Sequence, residues 1–155
     1  MMLRGLEITP GQGHEAGRKL LGQMYREATG EEMPPIVVDA GGKPRFVRGK
    51  YHFSVTHTPR HVFVALSERP VGLDAEELSR PVNLKLAEKI LSGDEYRQYA
   101  AAGDKAKALL TFWVLKEAQG KLTGEGVRPW PNHTRFSLED PRVFTQDGCL
   151  LAIVE

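Results

Sequence analysis

The chain has 155 residues, of which 41% are hydrophobic and 26% charged, with one cysteine and a formal net charge of +1. That length and apolar content suit one compact unit, or two small halves sharing a core, and exclude disorder as the overall state. The near-neutral balance argues against a dedicated nucleic-acid binder, which carries a strong basic excess. A lone Cys149 leaves no intramolecular disulfide to form.

Residues 1–10 contain no apolar core of the kind a secretory leader needs. Nothing in the chain approaches the roughly 20 apolar residues of a membrane span, so a cytoplasmic protein is expected. A helix is predicted over 14–28, where Leu20, Leu21, Met24 and Ala28 recur at helical spacing. Gly30 marks its stop and Pro34-Pro35 forbid continuation. Ile36-Val37-Val38 reads as a short β run before the turn Ala40-Gly41-Gly42-Lys43-Pro44. Alternation over 51–56, an apolar run over 61–66 and a further run over 71–75 predict three strands, separated by Thr58-Pro59-Arg60 and Arg69-Pro70.

Beyond residue 80 the period changes. Leu84, Leu86, Ala87, Ile90 and Leu91 give a helical pattern over 83–91, and Ser92 with Glu95 has capping-box spacing. Asp104 opens a long helix through 122, ended by Thr123-Gly124-Glu125-Gly126. Strands are predicted at 134–138 and 149–154, joined through a turn at Asp147-Gly148. Cys149 falls in the apolar run Cys149-Leu150-Leu151-Ala152-Ile153-Val154 and reads as a buried, inert thiol. Helix, three strands, helices, two strands: the order predicts an α+β fold.

Two stretches carry chemistry. In the strand Val71-Gly72-Leu73-Asp74-Ala75-Glu76, Asp74 and Glu76 are two apart and share a face. Carboxylates so placed repel unless a cation lies between them, and Mg²⁺ takes hard oxygen ligands of this kind. A solvated turn holding Glu76 and Glu77 is the alternative. On the long helix, Trp113, Glu117 and Lys121 lie at i, i+4 and i+8 and form one stripe, with Lys116 about 100° round the axis. That stripe continues the apolar positions Ala106, Leu109 and Leu110, so its polar end borders the core; an ordinary surface Glu–Lys pair is the alternative. Gly120 costs the helix roughly 1 kcal/mol against alanine, which suits a close approach to the backbone; a helix that merely tolerates it is the alternative. A third element, Gly42-Lys43-Pro44-Arg45 with Thr56-His57-Thr58, offers amides and cations to a phosphate; a satisfied structural histidine is the alternative for His57. The five histidines have no zinc spacing.

These residues resemble the signature of the 4′-phosphopantetheinyl transferases, in particular the pseudo-dimeric Sfp-type group. That signature is an apolar-Gly-apolar-Asp-x-Glu strand followed about forty residues later by aromatic-x-x-Lys-Glu-x-x-x-Lys, met here by Val71 to Glu76 and by Trp113 to Lys121. Gly42-Lys43-Pro44, Thr56-His57-Thr58 and Ser92-Gly93-Asp94-Glu95-Tyr96 are similar to further family segments in the same order. Val114 departs from the usual Ser, Thr or Cys. The chain is shorter than typical members, and the basic residues they carry before the first helix are largely missing, with Arg4, Arg18 or Lys19 as substitutes.

The resemblance implies two pseudo-symmetric α/β halves, each a small, mainly antiparallel sheet packed on a long helix. Residues 1–70 would serve the coenzyme A 3′-phosphate and adenine, and 71–155 the metal and pyrophosphate. It implies Mg²⁺, or Mn²⁺, on Asp74, Glu76 and Glu117, and coenzyme A as co-substrate. Lys43, Pro44, Arg45, Thr56 and His57 would hold the nucleotide end, while Lys121 and Lys116 would neutralise the leaving group. Glu117, Glu95 or a metal-bound water would be the general base, and the sequence does not choose among them. The implied partner is an acyl or peptidyl carrier protein, acidic around its serine, met by Lys85, Lys89, Arg97, Lys105 and Lys107; a monomer that binds neither nucleic acid nor membrane is expected. A non-catalytic relative that binds coenzyme A or a carrier is the alternative function, and a Mg²⁺-dependent phosphohydrolase is a third.

Overall fold

The structure is a computed structural model that describes residues 1–126 and 135–155. Strand β1 (Met2–Glu7) is followed by helix α1 (Gly13–Thr29), then β2 (Ile36–Val38), β3 (Pro44–Phe46), β4 (His52–His57), β5 (His61–Ser67) and β6 (Gly72–Glu77). A 3₁₀ turn (Leu84–Leu86), α2 (Ala87–Ile90), α3 (Gly93–Ala101) and α4 (Lys105–Thr123) precede the closing hairpin of β7 (Val143–Gln146) and β8 (Cys149–Val154). The fold is α+β, as the element order predicts.

The helix ends follow from the residues placed there. Gly30 and Gly124 take φ of 77°, the left-handed conformation that closes α1 and α4. Ser92 and Glu95 form the expected capping box at the start of α3, and the Asp104 side chain accepts from the Lys107 amide at the start of α4.

Three antiparallel sheets result: β1-β5-β4, β6-β8-β7, and the small pair β2-β3. Strand alternation sorts the apolar residues into layers. On β5, Val64 and Leu66 pack with Leu20, Leu21 and Met24 of α1, while Phe63 and Ala65 face the other way. On β8, Leu150, Ala152 and Val154 meet α4, while Cys149 and Leu151 join Phe63 and Ala65. The two three-stranded sheets therefore share a middle core, with α1 covering the outer face of one and α4 that of the other.

Three expectations need correction. Residues 2–7 form a strand where no element was predicted: Leu3 packs with the middle core, Met2 with the core under α1, and pairing to β5 aligns the segment. The strand expected at 134–138 is absent from its described part, 135–138; Thr134 lies outside the described residues. The first strand of the closing hairpin is instead Val143–Gln146, because Asp147 (φ 51°) and Gly148 (φ 73°) make a two-residue turn whose register pairs Gln146 with Cys149. Finally, the third expected strand runs on to Glu77, so Glu76 and Glu77 are strand residues and not a solvated turn.

Candidate functional site

Strand β6 sends Val71, Leu73 and Ala75 into the middle core, so Gly72, Asp74 and Glu76 face α4. Two strand residues advance about 6.7 Å and four helical residues about 6 Å, so alternate residues of β6 meet successive turns of α4. Gly72 lies against the helix backbone: a Cβ there would stand 1.9 Å from the Ala118 carbonyl oxygen and 2.6 Å from the Leu122 nitrogen. At the other end, Trp113 Nε1 donates to Glu76 Oε1 at 3.2 Å. Lys121 leans back toward the helix N-terminus, as helical side chains do, and its Nζ donates to Asp74 Oδ1 at 2.8 Å and to the Leu73 carbonyl at 3.1 Å. Glu117 occupies the turn between.

The carboxylates feel one another. Asp74 is 6% exposed, and its Oδ1 also accepts from Thr56 Oγ1 at 3.3 Å. Burial raises its carboxyl above the usual range, with Lys121 opposing and Glu76 adding to the rise. Glu117 is pushed up to about 7, first by burial and then by the charge of Asp74, with Lys121 again opposing.

Hard oxygen donors of this kind suit a divalent cation such as Mg²⁺. The fit is supported by Asp74 Oδ2, a buried oxygen without a hydrogen-bond partner among the described residues. Closure is not complete: among the described residues no three of His, Cys, Asp and Glu are grouped as an ion would need. Glu76 is engaged elsewhere: its Oε2 pairs with Arg80 at 2.6 Å and its Oε1 accepts from Trp113. The donor chemistry fits, with Asp74 and Glu117 facing the gap and Glu76 held aside.

Lys121 also lines a cavity of about 380 Å³, within the range of small-molecule sites. Its walls are His14 and Arg18 of α1, the 41–44 turn, Phe53 to Val55 and His57 of β4, and Gly120, Gly124 and Gly126. Two glycines make it possible. A Cβ at Gly41 would come 2.2 Å from the Gly124 carbonyl oxygen, and one at Gly13 would come 2.5 Å from the His57 ring. Lys43 Nζ donates to the Leu122 carbonyl at 2.8 Å, and burial lowers its pKa against the pull of Asp39.

The residues singled out from sequence thus fall into two groups. Asp74, Glu76, Glu117, Lys121 and Thr56 come together, and Lys43, Pro44 and His57 line the adjoining cavity. Arg45 is exposed and lies outside that lining. Glu95 and Lys116 pair with each other on another side of α4, at 2.8 Å and 0% and 6% side-chain exposure. Of Arg4, Arg18 and Lys19, Arg18 reaches the cavity, whereas Arg4 pairs with Glu27. His14 is a lining residue that sequence reasoning missed; the signal was Gly13 and Gly17, poor helix formers that mark a close approach on that face of α1.

Of the cations expected to meet a carrier, Lys105 caps the end of α3 through the carbonyls of Tyr99 and Ala102, and Arg97 pairs with Asp94. Lys85, Lys89 and Lys107 are exposed. Cys149 is buried and its thiol pKa is raised by that burial, as an inert thiol requires. Among the described residues no helix is long and apolar enough to cross a membrane.

Residues 70–147 match the family model of the 4′-phosphopantetheinyl transferase superfamily. Over 124 residues the chain is 33% identical to the 4′-phosphopantetheinyl transferase psf-1 of Bacillus pumilus, covering 73% of this chain and 52% of that protein. It is 34% identical over 88 residues to the 4′-phosphopantetheinyl transferase gsp of Aneurinibacillus migulanus, covering 56% and 36%. With the 4′-phosphopantetheinyl transferase Sfp of Bacillus subtilis the identity is 30% over 78 residues, covering 49% and 34%. The chain spans about half the length of the first of these relatives and about a third of the other two.

Proposed function

The chain belongs to the 4′-phosphopantetheinyl transferase superfamily, and from that premise we propose that it transfers the phosphopantetheine arm of coenzyme A to a serine of an acyl or peptidyl carrier protein. The observation that carries this reading is the Asp74–Lys121 pair beside Glu117 and Glu76, opening on a cavity walled by His14, Arg18, Lys43 and His57. A ligand that is polyanionic at one end and reacts at a pyrophosphate matches that division of charge. Residues 1–70 supply most of the nucleotide wall and 71–155 the acidic cluster.

Asp74 and Glu117, joined by Glu76 once it leaves Arg80, would hold Mg²⁺ or Mn²⁺, which when bound supplies Lewis-acid polarisation of the phosphates. Lys43, His57, His14 and Arg18 bind and orient the adenosine 3′-phosphate end. Lys121 places its ammonium where negative charge grows on the leaving group. Glu117 accepts the serine proton. The serine oxygen forms a bond to the β-phosphorus as the pyrophosphate P–O bond breaks, and 3′,5′-ADP leaves. Glu95 lies apart from this chemistry in the reading, since both its oxygens are engaged elsewhere. An acidic carrier docks against exposed Lys85, Lys89 and Lys107, and the protein works as a cytoplasmic monomer.

Mass spectrometry of an apo-carrier protein incubated with the chain, Mg²⁺ and coenzyme A tests the reading. It predicts a gain of one phosphopantetheine, lost in folded Asp74→Ala and Glu117→Gln. No gain with the wild type refutes transfer. Coenzyme A binding without any gain favours a non-catalytic binding relative, and 3′,5′-ADP release without carrier favours a hydrolase.

A further inference from the structure

We propose that the buried Glu95–Lys116 pair is a positioning device, which fixes the rotation of α4 and thereby holds Glu117 and Lys121 against β6. The inference rests on the reading of the acidic cluster as a cation site. The Glu95 carboxylate is fully buried and gathers donors from three segments. Its Oε1 accepts from the Ser92 amide at 2.9 Å and from Lys116 Nζ at 2.8 Å, and its Oε2 accepts from the Phe136 amide at 3.2 Å. The Lys116 ammonium also stands 5.6 Å from the centre of the Phe136 ring. One carboxylate thus ties the start of α3, the middle of α4 and the chain at Phe136 to a single point.

Trp113 and Lys121 bond α4 to β6 on one side, and the Glu95–Lys116 pair adds a directional tie on another. Leu109, Leu110, Thr111 and Phe112 are all buried, which is more than one full turn. Close packing restrains such a helix, but burial itself is non-directional and does not choose among rotations that pack equally well. A charge-assisted hydrogen bond is directional and short. Lys116 precedes Glu117 and points about 100° away from it, so locking Lys116 to Glu95 sets where Glu117 and Lys121 point. Neither Glu95 nor Lys116 reaches the cavity lining, so both act through the helix.

The test is the double variant Glu95→Gln/Lys116→Met, in which the Gln oxygen keeps the Ser92 bond of the capping box, the Phe136 amide loses its acceptor, and Met fills the lysine volume. Removing both buried charges together costs less than removing one partner and leaving the other unpaired, and the thermal midpoint identifies the variants that remain folded. Two readouts follow. Mn²⁺ affinity, from the free-ion paramagnetic resonance signal with coenzyme A present, should fall about tenfold or more, as loss of outer-shell support typically does. The indole N–H resonance of Trp113, bonded to Glu76 and assigned with Trp130→Phe, should shift in the cation-free protein. Lys116→Met alone, in which Glu95 keeps its two amide donors, is a second route to the same readouts. A folded variant of either kind with wild-type Mn²⁺ affinity and an unmoved Trp113 resonance overturns the proposal. A wild type that binds no Mn²⁺ sinks the cation reading instead, and the Trp113 resonance still decides the positioning role.

Discussion

Glu117 reports the combined cost of burial and of neighbouring carboxylates in the acidic cluster. In the cation-free protein its carboxyl ionises near 7, raised by burial and by Asp74, whereas in the unfolded chain it ionises near 4.3. The folded state therefore binds the proton more tightly between these values, and stability falls as pH rises through them. The penalty is absent below about pH 4 and complete above about pH 7 to 8. Each pH unit between the two values is worth about 1.4 kcal/mol, and a discount for the side chain's partial exposure leaves a scale of about 1–2 kcal/mol.

Glu117→Gln removes the charge and keeps the shape. In EDTA at pH 8 the variant should be about 1–2 kcal/mol more stable than the wild type in urea unfolding, and at pH 4 the two should coincide. Added Mg²⁺ should reverse the order: at a hundred times its Kd it stabilises the wild type by about 2.7 kcal/mol and the variant by less. A variant that is no more stable at pH 8, or whose gain persists unchanged at pH 4, refutes the account of the cluster.

Other substitutions probe the remaining parts. Gly72→Ala must push α4 away from β6, because its Cβ would meet the Ala118 carbonyl; calorimetry should show a loss of about 1–3 kcal/mol, with transfer activity falling as well. Arg80→Gln frees Glu76 from a partly exposed ion pair, so Mn²⁺ should bind about two- to fivefold more tightly, and the difference should vanish in a Glu76→Gln background. Lys43→Ala should weaken coenzyme A binding in calorimetric titration by about tenfold or more, the scale of a charged hydrogen bond, with the chemical step little changed once the site is saturated.

Most elements of the fold were legible because their signals are local. Gly30 and Gly124 end helices through their own backbone freedom, and Ser92, Glu95 and Asp104 cap through bonds spanning three residues. β1 was not legible, since a short, partly exposed edge strand owes its existence to pairing with β5. The closing hairpin was misplaced by its first strand for a related reason: Val143–Gln146 has a weak pattern, and the Asp147-Gly148 turn and β8 define it.

At the site, residue types and spacing were enough to single out Asp74, Glu76, Glu117 and Lys121, because strand and helix periods fix which side chains share a face. Tertiary structure decided which of the motif's charges serve the cluster. Lys116 and Glu117 are neighbours in sequence, yet one helical residue turns about 100°, sending the first to Glu95 and the second toward Asp74. Tertiary structure also brought His14 and Arg18 to the cavity wall and set Arg80 on Glu76. Those contacts depend on how α1 and α4 pack on their sheets, and the glycines at 13, 41 and 72 set how closely the backbones approach.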